Sequence, residues 1–433
     1  MKYDVVIIGS GFGGLACAHM LAKAGRSVLV LESHWQPGGC MQSYRRKEHV
    51  FDTGLHYVGG LDDGQQLHDI FQRLGLLALP WHRLDAGGFD LITIQGHTYR
   101  FAEGFDCFVE ELAKDFPHER DALRHYADML QGPDPEPSVC AWQWLNETFS
   151  DPLLVDVLSG SCIKTELRRE SMPLLAFAHS QKSYIQSSWR LQGDSSLIVR
   201  SLTDDIVRMG GMVLCRAEVQ QLTEHDGRIV TARCSNGETY EADCFVSDIH
   251  PAQALALVQN DRIQKGIYRR RLAMLENTAG IYTYSLVLKP RTLRYFNHNK
   301  FVYRSGDVWN ESTERVMLSC RVPEDGSDYA TLLDLLTPQA TDPMPLAETV
   351  IPGLSDMVSE QYISTPHTWQ RFTHTPDGSA YGIRKDCRQP LMTMLSPRTP
   401  IPNLLLTGQN VMLHGLEGVA MTAVQTTEII LNS

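Results

Sequence analysis

No stretch of the 433-residue chain approaches the roughly 18 consecutive apolar residues of a membrane span. A secretory leader is not indicated either. Only Lys2 precedes the apolar run Val5–Ile8, Asp4 interrupts the approach, and the run is too short for a signal-peptide core. Ten cysteines are present, but no two form a CxxC pair, which argues against a zinc ribbon or a thioredoxin-type motif. Their scatter reads as buried, reduced thiols. Positive charge is in deficit: 39 Lys and Arg stand against 51 Asp and Glu, a net charge of -12. A chain so acidic is a poor nucleic-acid binder, because phosphate contacts need clustered cations. There is no internal repeat. No Ser–His–Asp set or metal-ligand cluster occurs at recognisable spacing, so hydrolase and metalloenzyme readings carry little weight. We expect a cytoplasmic protein, with peripheral contact at the inner face of a membrane left open.

What is present begins at the first residues. Tyr3–Ile8 is a short β-branched run that reads as a buried strand of a parallel sheet. Gly9-Ser10-Gly11-Phe12-Gly13-Gly14 follows at once. Leu15, Ala18, Leu21 and Ala22 then recur at helical spacing until Gly25. Ser27–Leu31 is the next strand, and Glu32 stands at its end. Gly9 allows the tight turn, Gly11 lets a pyrophosphate approach the backbone, and Gly14 lets helix and strand pack closely. The helix start offers free N–H groups and a positive dipole end to phosphates. Glu32 can accept from both adenosine ribose hydroxyls, and its charge would repel a 2′-phosphate. This strand–glycine–helix–strand–acid order predicts a dinucleotide site, and by itself it does not separate NAD from FAD.

Three further segments bear on that choice: Pro37-Gly38-Gly39-Cys40-Met41; Phe51-Asp52-Thr53-Gly54-Leu55-His56-Tyr57-Val58-Gly59; and Ile401–Gln409 followed by Gly415–Ala420, a strand, a loop and a glycine-opened helix running to Leu431. A second glycine-rich junction suits a flavin, whose ribityl chain and ring need donors beyond the first turn. A helix starting near Gly418 would aim its positive end at the ring. With Gly378–Gly382, these anchors resemble the phytoene desaturase and carotenoid isomerase superfamily of FAD proteins, and within it the retinol saturase branch. Both chain ends carry the resemblance; the middle, roughly 61–365, matches by layout. The resemblance implies FAD, with Gly9, Ser10, Gly11, Phe12, Gly13, Gly14, Glu32 and Ser33 on its ADP half. It implies Gly38, Gly39, Cys40 and Met41 beside the pyrophosphate and ribityl chain. Gly54, Leu55 and His56 would lie near the ring, and Val219 beside the adenine. Gly408, Gln409, Gly418, Val419 and Ala420 would close over ribityl and ring. Asn410 departs from relatives that carry an acid there. Cys40-Met41 departs from many desaturases and favours the saturase-like branch.

The fold expected is α/β: a Rossmann-type FAD domain of the glutathione-reductase and amine-oxidase type, interleaved with an α+β substrate domain. The cofactor domain would take 1–75, 191–260 and 386–433; the substrate domain would take 76–190 and 261–385. Phe89–Ile94 and His97–Phe101 read as a hairpin, and Phe105–Phe116, Glu119–Leu130 and Ser195–Met209 as helices. Met212–Glu218 reads as one strand. His56, Tyr57, Glu417, His414 and Tyr381 lie on segments expected near the ring. His56 leads as proton donor or orienter, with Tyr57 and Glu417 as further catalytic candidates. The resemblance implies an apolar polyene or isoprenoid substrate whose double bonds are saturated, desaturated or isomerised. Two alternatives stand beside it: an amine-oxidase-like flavoenzyme, and a non-redox lipid-escort protein like the guanine-nucleotide dissociation inhibitors. Arg269–Arg271 and Arg168-Arg169, each followed by apolar residues, could form an interfacial patch or a solvated face. The electron donor or acceptor is left open.

Overall fold

The computed structural model describes residues 2–259 and 266–433. The expected junction between 260 and 261 lies outside the described residues. Strand β1 (Lys2–Ile8), helix α1 (Phe12–Lys23) and strand β2 (Val28–Leu31) form the first unit. Val5–Ile8 and all of β2 are buried, as β-branched runs covered on both faces should be. Met212–Leu214 pairs with β2, Thr239–Ser247 with β1, and Leu404–Leu406 with Thr239–Ser247, every pairing parallel. An antiparallel ribbon, Val219–His225 with Arg228–Cys234, extends the sheet from Thr239–Ser247. On one face α1, Ser196–Arg208 and the C-terminal helix Gly415–Leu431 share a core through Leu15, Ile198, Leu202 and Ala423.

The segment expected as one strand, Met212–Glu218, is not one. Its first three residues extend the parallel sheet. Arg216 then takes a φ of 58°, and the chain re-enters at Val219 as the outer strand of the ribbon. A left-handed arginine cannot continue a strand, so the break is local and steric.

A second seven-stranded sheet runs in the order Val358–Ser364, Tyr282–Leu288, Leu332–Thr337, Arg315–Cys320, Asn299–Tyr303, Asp90–Ile94, His97–Phe101. Only the Asn299–Tyr303/Asp90–Ile94 pair is parallel. Its hairpin closes over Gln95 and Gly96, both at positive φ, the turn that matches strand twist. Helices Phe105–Asp115, Arg120–Gln131 and Leu174–Gln186 cover one face through Phe108, Leu112, Tyr126 and Phe177. A Rossmann-type α/β sheet is thus interleaved along the chain with an α+β unit. Among the described residues no helix is long and apolar enough to cross a membrane.

This topology positions the site. β1 has β2 on one side and Thr239–Ser247 on the other. The loops leaving the carboxyl ends of these strands part at that point and leave a crevice, where ligands of open α/β sheets bind.

Candidate active site

A cavity of about 480 Å³ occupies the crevice. One end is walled by Gly9–Gly13, Glu32 and Ser33, the other by Ile163, Ile281, Met317 and Leu336 beneath the second sheet. The glycines are there for close approach. A Cβ on Gly11 would stand 2.5 Å from Asp248 Oδ2, one on Gly408 would collide with Asp248 Oδ1, and one on Gly14 with the Gly9 carbonyl. The glycine loop, Gly408 and Asp248 therefore close on one point at the α1 N-terminus. Asp248 carries no signal in the sequence, because it reaches the loop only through the pairing of β1 with Thr239–Ser247. Burial pushes its carboxyl up to about 7, with the Glu32 charge adding to the rise and the Gly14 and Gly11 N–H groups opposing it.

Glu32 is buried and already engaged. Its Oε2 accepts from Ser10 N at 3.0 Å and from Ser10 Oγ at 2.5 Å; its Oε1 accepts from His34 N at 2.7 Å and Ser33 Oγ at 3.2 Å. Two of these donors are hydroxyls that can rotate away, so two acceptor positions can be released to a ribose. Gly38 N donates to Ser10 O and Ser10 Oγ, which seats the turn Gly39–Met41 against the glycine loop. Burial pushes the Cys40 thiol up to about 12, so it carries no thiolate at neutral pH.

At the far end His56 and Tyr57 both line the cavity. Burial holds the His56 imidazole below its ordinary range, which leaves it neutral. Tyr57 donates its hydroxyl to Asp90 Oδ2 at 2.7 Å, and Asn299 Nδ2 donates to Asp90 Oδ1 at 2.9 Å. Lys164 stands against the same group: its Nζ is 3.7 Å from Asp90 Oδ2 and 3.7 Å from the centre of the Tyr184 ring. Sequence reasoning passed over Lys164 and Asp90, which lie in unlike elements and share no motif.

Of the residues expected at a cofactor, most line this cavity: Gly9–Gly13, Glu32, Ser33, Gly39–Met41, Gly54–His56, Val219, Gly408, Gln409 and Val419. Gly14, Gly38, Gly418 and Ala420 do not; they stand behind the wall. The C-terminal helix begins at Gly415, so Gly418 lies within its first turn. Glu417 also misses the main cavity and lines a smaller neighbour of about 50 Å³ with His414. Tyr381 lines the main one, its ring 4.9 Å from that of His414. Asn410 Oδ1 is taken by the Ile383 backbone N–H at 3.0 Å. Among the described residues no group of His, Cys, Asp and Glu could hold a metal.

Comparison with known proteins agrees with this geometry. Residues 7–74 match the NAD(P)-binding Rossmann-like domain family. The all-trans-retinol 13,14-reductase of Macaca fascicularis is 26% identical, over 99% of this chain and 86% of its own length. Prolycopene isomerase 2 of an Oncidium hybrid cultivar, a chloroplastic protein, is 22% identical over 94% of this chain and 80% of its own. Among solved structures, an oxidoreductase from Methanosarcina mazei superposes with a TM-score of 0.69 at 17% identity, covering 99% of this chain and all of that one. Putrescine oxidase bound to putrescine gives 0.69 at 16%, covering both chains fully. Those two carry the fold, and the glycine cradle carries dinucleotide binding. The chain is thus similar along nearly its whole length to a retinol 13,14-reductase and a prolycopene isomerase, and its first residues match a Rossmann-like dinucleotide-binding domain.

Proposed function

We propose that the protein binds FAD in this cavity and is an oxidoreductase acting on carbon–carbon double bonds of an apolar polyene or isoprenoid, by saturation, desaturation or isomerisation. The observation that carries the reading is the single cavity that joins a dinucleotide cradle to an apolar chamber. Relatives named for retinol and for prolycopene support a polyene. A second glycine junction, Gly408 with the helix from Gly415, reaches the same cavity and supports a flavin over a simple nicotinamide site.

The residues fit that group. Gly9–Gly14, Glu32 and Ser33 would hold the ADP half, where any Cβ would fill the cradle. Gly38–Met41, Gly408 and Gln409 would hold the diphosphate and ribityl chain, and Val219 the adenine. Gly54–His56 and Gly418–Ala420 would back the ring. Bound FAD would supply hydride-transfer chemistry at the mouth of the apolar chamber. The chain's own part is to exclude water there and to orient the polyene against Ile163, Ile281, Met317 and Leu336. His56, neutral at physiological pH, orients by hydrogen bonding and is a poor acid. Tyr57, its proton committed to Asp90, fixes the chamber wall. The domain division we propose is 1–75, 191–260 and 386–433 for the cofactor and 76–190 and 261–385 for the substrate. Exposed Ile267 and Met274 beside Arg269–Arg271 support a peripheral membrane contact on that face.

An amine substrate is less well served. The cavity's acids, Glu32, Glu218 and Asp248, lie at the nucleotide end, while the chamber end carries the Lys164 ammonium, which repels another cation. The test is the visible spectrum of the purified protein. We expect a flavin chromophore, and its anaerobic response to polyenes and enones. A colourless protein that cannot be reconstituted with FAD overturns the reading, as does a flavin that responds to amines alone.

A further inference from the structure

Lys164 is built unlike a structural lysine. Its side chain is 12% exposed, and among the described residues its Nζ makes no hydrogen bond. The ammonium is held by the Tyr184 and Tyr57 rings, at 3.7 and 5.2 Å, and by Asp90 at 3.7 Å. A buried cation with no acceptor in bonding range is costly, and burial lowers the pKa of this one. Lys164 lines both the main cavity and the 50 Å³ cavity behind it. The small cavity is large enough for water, since about 10–15 Å³ suffices for one molecule. Its other wall carries Glu417, His179, Ser180 and Ser183. Burial raises the Glu417 carboxyl, while the charge of His179, the Ser183 hydroxyl and Lys182 pull it back. His179 Nε2 is 3.0 Å from Asp134 Oδ1, and the Asp134 side chain is 58% exposed. Titratable groups thus run from solvent through Asp134, His179 and Glu417, across a cavity of water size, to Lys164 and the chamber. Burial also raises the Asp90 carboxyl, and the Lys164 charge opposes that rise. The other neighbours do not compete for the proton. Cys162 is pushed up to about 11, Tyr57 and Tyr184 are raised as phenols, and His414, down at about 4, is neutral.

We propose that Lys164 is the catalytic acid–base of the double-bond reaction, recharged from solvent through positioning residues Glu417, His179 and Asp134. The proposal rests on the polyene reading above. In the saturating direction the π bond is consumed. One C–H bond would take a hydride, the two electrons for which bound reduced flavin would supply. The other forms with the proton released as the Lys164 N–H bond breaks. The neutral amine regains a proton from water along the path. Desaturation runs the same exchange backwards, with Lys164 as base.

The first test needs no cofactor. All-trans-retinal is added to the apo-protein with cyanoborohydride. An amine facing the chamber condenses with the aldehyde, releasing water, and the imine is reduced to a stable secondary amine. We expect the adduct on Lys164 by peptide mapping and its loss in Lys164→Met. Retinal that binds, by quenching of tryptophan fluorescence, but is trapped only on other lysines overturns the inference and leaves the polyene reading intact. The second test is kinetic. Lys164→Met should lower kcat about 100-fold, the lower range of general acid–base effects, with KM and FAD affinity unchanged. Lys164→Arg, which keeps the charge but cannot give up its proton, should be as impaired; recovery in that variant overturns the proposal. Glu417→Gln should displace the pH profile of kcat, and a variant that alters only thermal stability removes Glu417 from the path.

Discussion

Asp248 shows what a single buried carboxyl contributes here. Its folded pKa, about 7, lies above the ordinary aspartate value of 3.8. Between those values the folded chain binds a proton that the unfolded chain has released. Stability from this group is therefore present at low pH, falls as pH rises from about 4 to 7, and stays lost above. In Asp248→Asn no charge has to be buried. We expect the apo-protein carrying it to melt higher than the parent at pH 8 and by much less at pH 5, read by calorimetry. An equal gain at both values would mean that the folded carboxyl is already charged at pH 5. The residues that were legible in the sequence are those whose function is local. Gly9 to Gly14 and Glu32 lie within one strand–helix–strand unit, and order alone exposes them. Asp248, Lys164 and Asp90 acquire meaning only from partners far along the chain, so no spacing rule could find them.

Elements are joined by a few buried polar ties. Asp52, at the end of strand His49–Asp52, accepts from Ser195 N and Oγ, each at 2.7 Å, at the head of helix Ser196–Arg208. Its other oxygen accepts from Arg321 Nη2 at 2.8 Å, just beyond strand Arg315–Cys320. Both side chains of the pair are about nine-tenths buried. Burial raises the Asp52 carboxyl and Arg321 opposes that rise. Removing one partner of a buried pair leaves the other charge uncompensated, at a cost of about 3–5 kcal/mol. Arg321→Met should lose that much in urea unfolding, whereas Arg321→Lys should recover part of it. At this scale the pattern of hydrophobic residues served well. The helices expected at 105–116, 119–130 and 195–209 stand within a residue or so of their limits. The strand at 212–218 failed because hydrophobicity continues through a residue whose backbone turns left-handed, and periodicity is blind to φ.

The whole molecule depends on its last residues. α1 packs on the C-terminal helix, with Leu15, Ala16 and Ala18 buried in the shared core. A chain ending at Thr399 would lack Leu404–Leu406 and that helix, and α1 would present an apolar face to water. We expect such a truncation to lose flavin binding and to aggregate on gel filtration. A monodisperse, yellow product would show that the N-terminal unit is sufficient alone. The interleaved architecture was legible because glycine-rich junctions at both chain ends point to one cofactor. How the intervening sheet orders its strands was not, since sheet order follows from long-range packing.

The cavity wall is shared by Gly9–Gly13 and by Gly408, Gln409, Gly415 and Val419, and this sets a timetable for synthesis. At about 5–20 residues per second, tens of seconds separate the two walls as they leave the ribosome. The glycine loop emerges first and must stay without its closing strand while the intervening chain is made. Whatever fills the cavity therefore cannot be enclosed until both walls have been made.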